Sequence, residues 1–184
     1  MTKKKTTPRT RVLLGTIAAA ALGAGTLGAV TANAAGPAPA AAADVAKSRD
    51  TTQTTHLSAD AAVRAAQAAL DAAEDADQKV TVAVVDRNGN TVVTLRGDGA
   101  GPQSYDSAVR KAYTAVSWNA PTSVLAGRLD QAPNLKDIPN TLFLAGGAPV
   151  TAKGAPIAGI GVAGAPSGDL DEKFAQAGVA ALGR

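Results

Sequence analysis

The stretch "APIAGIGVAG", Ala155–Gly164, decides how this chain folds. Its last six residues have the spacing G-x-G-x-x-G, which signals a dinucleotide site only inside a strand–turn–helix unit. An acidic residue about 20 positions further on must also be present to hold the ribose. Neither condition is met. The preceding segment "PVTA" (149–152) joins it through Lys153-Gly154, a tight turn, and the chain ends at Arg184 before the acid would fall. The glycines are therefore expected inside a strand. Gly159 and Gly161 point to one face, where missing side chains let a helix or a flat ligand come close.

Working back, "KVTVAVVD" (79–86) and "TVVTLRG" (91–97) are β-branched runs joined by "RNGN", and Asn88-Gly89 is a strong hairpin signal. "TLFLA" (141–145) adds a further apolar run, separated from the next by Gly146-Gly147. Short turns between successive strands imply antiparallel neighbours. The helices are equally plain. Ser58 caps "ADAAVRAAQAALDAAEDA", with Val63, Ala66, Leu70 and Ala73 as its buried stripe and Arg64, Gln67, Asp71 and Glu74 as its wet one. "PQSYDSAVRKAYTAVSWN" (102–119) turns Tyr105, Ala108, Val109, Ala112 and Val116 inward. Thr122 caps a short third helix to Leu129. A last helix begins near Asp169, where Glu172 can complete a capping box, and runs to about Leu182. The order α-β-β-α-α-β-β-β-α predicts an α/β (α+β) fold: a five-stranded antiparallel sheet with helices packed on its faces.

The first residues are not fold. "MTKKKTTPRTR" carries five cations and no acid, an apolar run follows from Val12 to Val30, and Ala32 and Ala34 suit signal-peptidase recognition. Residues 1–34 are expected to be a secretory signal cut after Ala34; the rival reading is an uncleaved membrane anchor, since 19 residues nearly span a bilayer, though several glycines make the run weakly apolar. Residues 35–56, rich in Ala, Pro and Thr, read as a disordered tether, and residues 57–184 as one domain. The expected location is extracellular, free or associated with the cell wall. The full chain has net charge +3, but loss of the leader leaves 13 basic against 15 acidic residues, so no basic footprint for nucleic acid remains. There is no cysteine, so an exported domain must be held by its core alone.

The chemical inventory is thin. His56 is the sole histidine and sits at the end of the tether, so neither a Ser–His–Asp triad nor a histidine-rich zinc site can be built. No spaced carboxylate pair marks a pocket, and no catalytic residue is assigned.

The segments "LSADAAVRAAQAAL", "VAVVDRNGN", "RKAYTAVSWNAPTS", "IPNTLFLAGGAPV" and "GAPIAGIGVAGAPSGDLDEKFAQAG", in this order from Leu57 to Leu182, resemble the GlcG/HbpS family, its extracellular haem-binding branch in particular. The resemblance implies a profilin-like sheet and self-assembly into a homo-oligomer, with an octamer as one size. It also implies haem and iron binding, and signalling to a membrane sensor kinase under oxidative stress. "RKAYTAVSW" matches the haem-contacting segment, which places Thr114 and Tyr113 near iron. Arg110, one turn before Thr114, and Lys111 can pair with haem propionates. By residue type alone, His56, Tyr105 and Tyr113 are the ordinary iron ligands left, and Arg110, Thr114 and Ser117 also read as a plain solvated helix face. Asp71 and Glu74, three apart on the first helix, match the acidic pair that the branch uses for surface iron. Such a pair is also common on solvated helices. Trp118 is expected to pack on the sheet or on a neighbouring subunit. The leading expectation is a secreted haem- and iron-binding protein that sequesters its ligands and informs a sensor kinase. The alternative is a small-molecule enzyme or accessory domain with a pocket between the last helix and the glycine-rich strand. A third reading is a purely structural oligomer.

Overall fold

The computed structural model describes residues 46–183, so the expected leader and most of the tether lie outside the described residues. Residues 46–56 form no regular element beyond a turn of 3-10 helix at Ser48–Asp50. His56 is exposed and shares a 2.7 Å hydrogen bond with the Thr54 hydroxyl.

Helix α1 (Ala59–Glu74) begins at Ser58, whose hydroxyl accepts from Ala61 N–H. Strands β1 (Thr81–Asp86) and β2 (Thr91–Arg96) form the expected hairpin. Its turn is tied by Asp86, whose Oδ1 accepts from the backbone N–H groups of Asn88 and Asn90, both at 2.8 Å. Helices α2 (Gln103–Trp118) and α3 (Thr122–Ala126) follow, then β3 (Gly147–Ala152), β4 (Ala155–Ala163) and α4 (Gly168–Ala180).

The sheet has four strands in the order β2-β1-β4-β3, all antiparallel. The expected fifth strand, "TLFLA", does not form. Its hydrogen bonds go elsewhere: Leu142 N–H donates to the Thr114 hydroxyl on α2, while Thr141 turns back on Ile138 O through both its N–H and its hydroxyl. A segment whose backbone is held by a helix cannot also join a ladder. Pairing starts only at Gly147, opposite Gly161.

Helices α1 and α4 cover one face of the sheet. Leu70, Phe174 and the alanines of α1 meet Val82, Val84, Ile160 and Val162 there. Helix α2 covers the other, on Ala83, Val85 and Ala163. Gly159 and Gly161 lie on this second face directly under α2, where a Cβ would overlap the carbonyl oxygens of Ala112 and Ala108. Of the two guests a bare strand can admit, the structure seats a helix. Two smaller expectations also change. Val63 is exposed rather than buried. The cap of α4 is Ser167, which accepts from Leu170 N–H. Glu172 is thereby released from a capping box, and its buried carboxylate accepts from Ser123 N–H, the Ser123 hydroxyl and Gly146 N–H.

The hairpin supports a first prediction. Burial alone would raise the Asp86 carboxyl, but the hydrogen bonds from Asn90 and Asn88 outweigh it and hold the group below its ordinary value of 3.8. A lowered native value means stability that is present above 3.8 and lost as pH falls through the native value. Asp86→Ala should therefore cost about 1 kcal/mol at pH 7. The urea midpoints of variant and parent should converge in acid.

Candidate functional site

Helix α2 carries the residues singled out by sequence, and its 3.6-residue period sends them to different places. On its outer side Tyr105, Asp106, Val109 and Arg110 line a groove of about 360 Å3, closed by Thr91 at the start of β2 and Asn140 in the loop before β3. Tyr105 is 49% exposed, contrary to the inward position expected for it. The neighbouring inward positions, Ser104 and Ala108, take the buried face instead. Tyr113 sits on the same side two turns later, half-buried against Val85, Ala112 and Val116. Its ring abuts Gly89 at the hairpin tip; a Cβ there would come within 2.8 Å of the ring, and the positive φ of 88° is a second demand for glycine.

Thr114 is 0% exposed. Its hydroxyl donates to Arg110 O and accepts from Leu142 N–H, each at 2.8 Å. Arg110 is exposed, and its guanidinium donates to Thr141 O at 2.7 Å. Together these two side chains hold the loop 138–142 along α2, beside the groove. Arg110 thus belongs both to the groove and to the loop's attachment.

Lys111 is turned the other way. Two positions from Tyr113, it is rotated by about 200° around the helix and points toward α4, where it is 2% exposed. Its Nζ forms a 2.8 Å ion pair with Asp171 Oδ2 and donates to Val162 O at 3.0 Å. Burial pushes the Asp171 carboxyl up, against the pull of the Lys111 ammonium and of the Ala165 and Gly164 N–H groups. Of the two cations expected for a haem propionate, Arg110 or Lys111, the structure turns Lys111 away from Tyr113 and pairs its ammonium with a buried carboxylate behind the helix. Among the described residues that line the groove, Arg110 is the one cation.

Asp71 and Glu74 are both exposed on α1, and Gln67 Nε2 donates to Asp71 Oδ1 at 2.6 Å. Among the described residues no three His, Cys, Asp or Glu side chains gather as a metal-holding group, so the pair stands as two carboxylates. Trp118 packs edge-on to Phe143 with ring centroids 5.2 Å apart. The aromatic partner thus comes from the segment expected to be a strand.

The groove offers a phenol, a guanidinium and an apolar floor in one place. By residue type Tyr105 is among the iron-ligand candidates, but its spacing places it on the inward stripe. The available signal was its place next to Asp106 in the first turn of α2, where a helix end often stands clear of the core.

The family model described as "Haem degrading protein HbpS-like" matches residues 57–180. The crystal structure of HbpS from Streptomyces reticuli, solved as a double mutant with two glutamates three positions apart changed to aspartate, is 73% identical. The match has a TM-score of 0.77 and covers 79% of this chain and 100% of that one. The crystal structure of a PduOC–haem complex is 27% identical, with a TM-score of 0.63, and covers 69% of this chain and 95% of that one. ORFY of Klebsiella pneumoniae is 26% identical with a TM-score of 0.67, over 72% of this chain and 94% of its own. No curated protein matches the chain.

Proposed function

Because this chain belongs to the HbpS-like family, we propose that it is a haem-binding protein and that the outer side of α2 is its haem contact. The observation that carries the site is that exposed Tyr105 and Arg110 line one groove with half-buried Val109 between them. These residue types fit the group: a phenol oxygen is a recognised ligand for haem iron, a guanidinium pairs with a propionate, and Val109 gives the ring an apolar surface. Haem bound here supplies a redox-active iron; the protein supplies position and shielding. Tyr105 is the better-placed oxygen and Tyr113 the second. Thr114, its hydroxyl already committed on both sides, acts by fixing the loop that borders the groove. A PduOC–haem complex among the structural relatives adds support from the fold.

The proposal extends to a secreted protein that sequesters haem and iron, self-associates and informs a sensor kinase, without a catalytic step of its own. The charged, apolar and small-residue order of the leader supports export. Iron would be held at Asp71 and Glu74, whose i, i+3 spacing is that of the two substituted glutamates in the S. reticuli structure. With two carboxylates the site is half-built, and the remaining ligands come from water or another subunit. The competing reading, a small-molecule protein of the same family, draws on a cleft between β4 and α4.

Titration of the secreted protein with hemin tests the reading. A saturable Soret change is expected. Tyr105→Phe should shift the band and weaken binding by about tenfold or more, and Arg110→Ala should weaken it with the band unmoved. If Thr114→Val abolishes the wild-type band and Tyr105→Phe leaves it untouched, the ligand assignment moves to Thr114. A wild-type protein without saturable change is not a haem binder.

A further inference from the structure

Behind α2 lies a second cleft of different chemistry. It encloses about 370 Å3 between the start of α2, the exit of β4 and the start of α4, with Gln103, Ser107, Lys111, Leu144, Gly168 and Asp171 among its walls. It lies on the side of the helix opposite Val109 and Tyr113, so it is separate from the haem groove. Its floor is the Lys111–Asp171 pair, 2% and 3% exposed. Burying an ion pair costs solvation that mutual attraction barely offsets, and an apolar pair of the same volume would join α2, β4 and α4 at least as well. A pair kept under an open cleft therefore points to a ligand.

The pair is unevenly used. Asp171 Oδ2 takes Lys111 and Oδ1 takes Ala165 N–H. The Lys111 ammonium has three hydrogens and two acceptors, Asp171 Oδ2 and Val162 O. One donor remains, and the Ser107 hydroxyl, one turn earlier on α2, adds another. The cleft thus offers donors while its carboxylate is spent, which selects a ligand with acceptor oxygens. Asp171 beneath and Asp169 in the first turn of α4 oppose a multiply charged anion. Leu144, exposed at the rim, with Ala163, Ala165 and Pro166, gives an apolar wall for a short tail.

We propose that this cleft binds a small aliphatic monocarboxylate, its carboxylate accepting from Lys111 and Ser107 and its tail lying on Leu144. This rests on the cleft alone and is independent of haem binding. Backbone amide spectra of the secreted protein titrated with butyrate should show saturable shifts at Ser107, Lys111 and Gly168, weaker with acetate and absent with inorganic phosphate at equal ionic strength. Ser107→Phe fills the cleft without touching the ion pair, and should weaken butyrate binding by at least about tenfold while hemin titration is unchanged. The double variant Lys111→Met/Asp171→Leu, if it folds, should lose the response as well. No saturable shift at these amides in the wild type overturns the proposal. So does an undiminished response in Ser107→Phe, and equal binding of phosphate overturns the ligand class.

Discussion

Gly161→Val is expected to lose about 4 kcal/mol or more, enough to leave the domain largely unfolded or α2 detached from the sheet. The reason is geometric. Any Cβ at this position overlaps Ala108 O and comes within 2.5 Å of Ala112 N, and both belong to helix backbone that cannot rotate away. Gly159 has the same relation to Ala112 O one ladder step along. Overpacking a side-chain contact typically costs about 1–3 kcal/mol because neighbours shift; here the neighbour is a hydrogen-bonded helix carrying the whole candidate site. Gly127→Ala makes a clean control, since nothing lies within 4 Å of a Cβ there, and its urea midpoint should stay the same or rise slightly. Retention of the parental midpoint by Gly161→Val would show that α2 does not rest on this face.

Lys111→Met should be the second most damaging change, costing about 3–5 kcal/mol at neutral pH, because it strands the Asp171 carboxylate in the interior. Replacing both partners, Lys111→Met with Asp171→Leu, should recover most of the loss. The pH response separates this from simple misfit. Burial already holds the Asp171 carboxyl above its ordinary value, and removal of the ammonium raises it further. A raised native value means that the folded state takes up its proton first, so folding gains stability as pH falls through that value. The deficit of Lys111→Met relative to the parent should thus shrink on moving from neutral pH toward the carboxylate range. A deficit that stays constant with pH would assign the loss to packing alone.

Much of this architecture is written plainly in the sequence. The Asn88-Gly89 turn specifies the β1–β2 hairpin, Ser58 specifies the start of α1, and Gly159 and Gly161 specify a face that a helix or a flat ligand can approach closely. What escapes is decided by contacts distant in sequence. "TLFLA" has strand composition, yet its backbone is captured by the Thr114 hydroxyl 28 residues earlier. Lys111 reads as a wet residue by type. Its position does not: it stands three after Ala108 and four before Ala115, on the arc of α2 that meets the sheet. Only the arrival of Asp171, 60 residues later, explains a lysine there. Tyr105 misleads in the opposite sense, since an aromatic residue near the inward stripe stands at the helix end, where the core stops short. The segment around Thr114 is legible as important. Its division into an exposed groove, a loop attachment and a buried ion pair requires the third dimension.

Amide hydrogen exchange of the protein, with and without one equivalent of hemin, asks where the porphyrin lands. Slowed exchange is expected on the outer face of α2 from Tyr105 to Tyr113, at the start of β2 at Thr91 and in the loop around Asn140, with residues 163–168 unaffected. Protection concentrated at residues 163–168 and the start of α4, with the Tyr105 face unchanged, would contradict it.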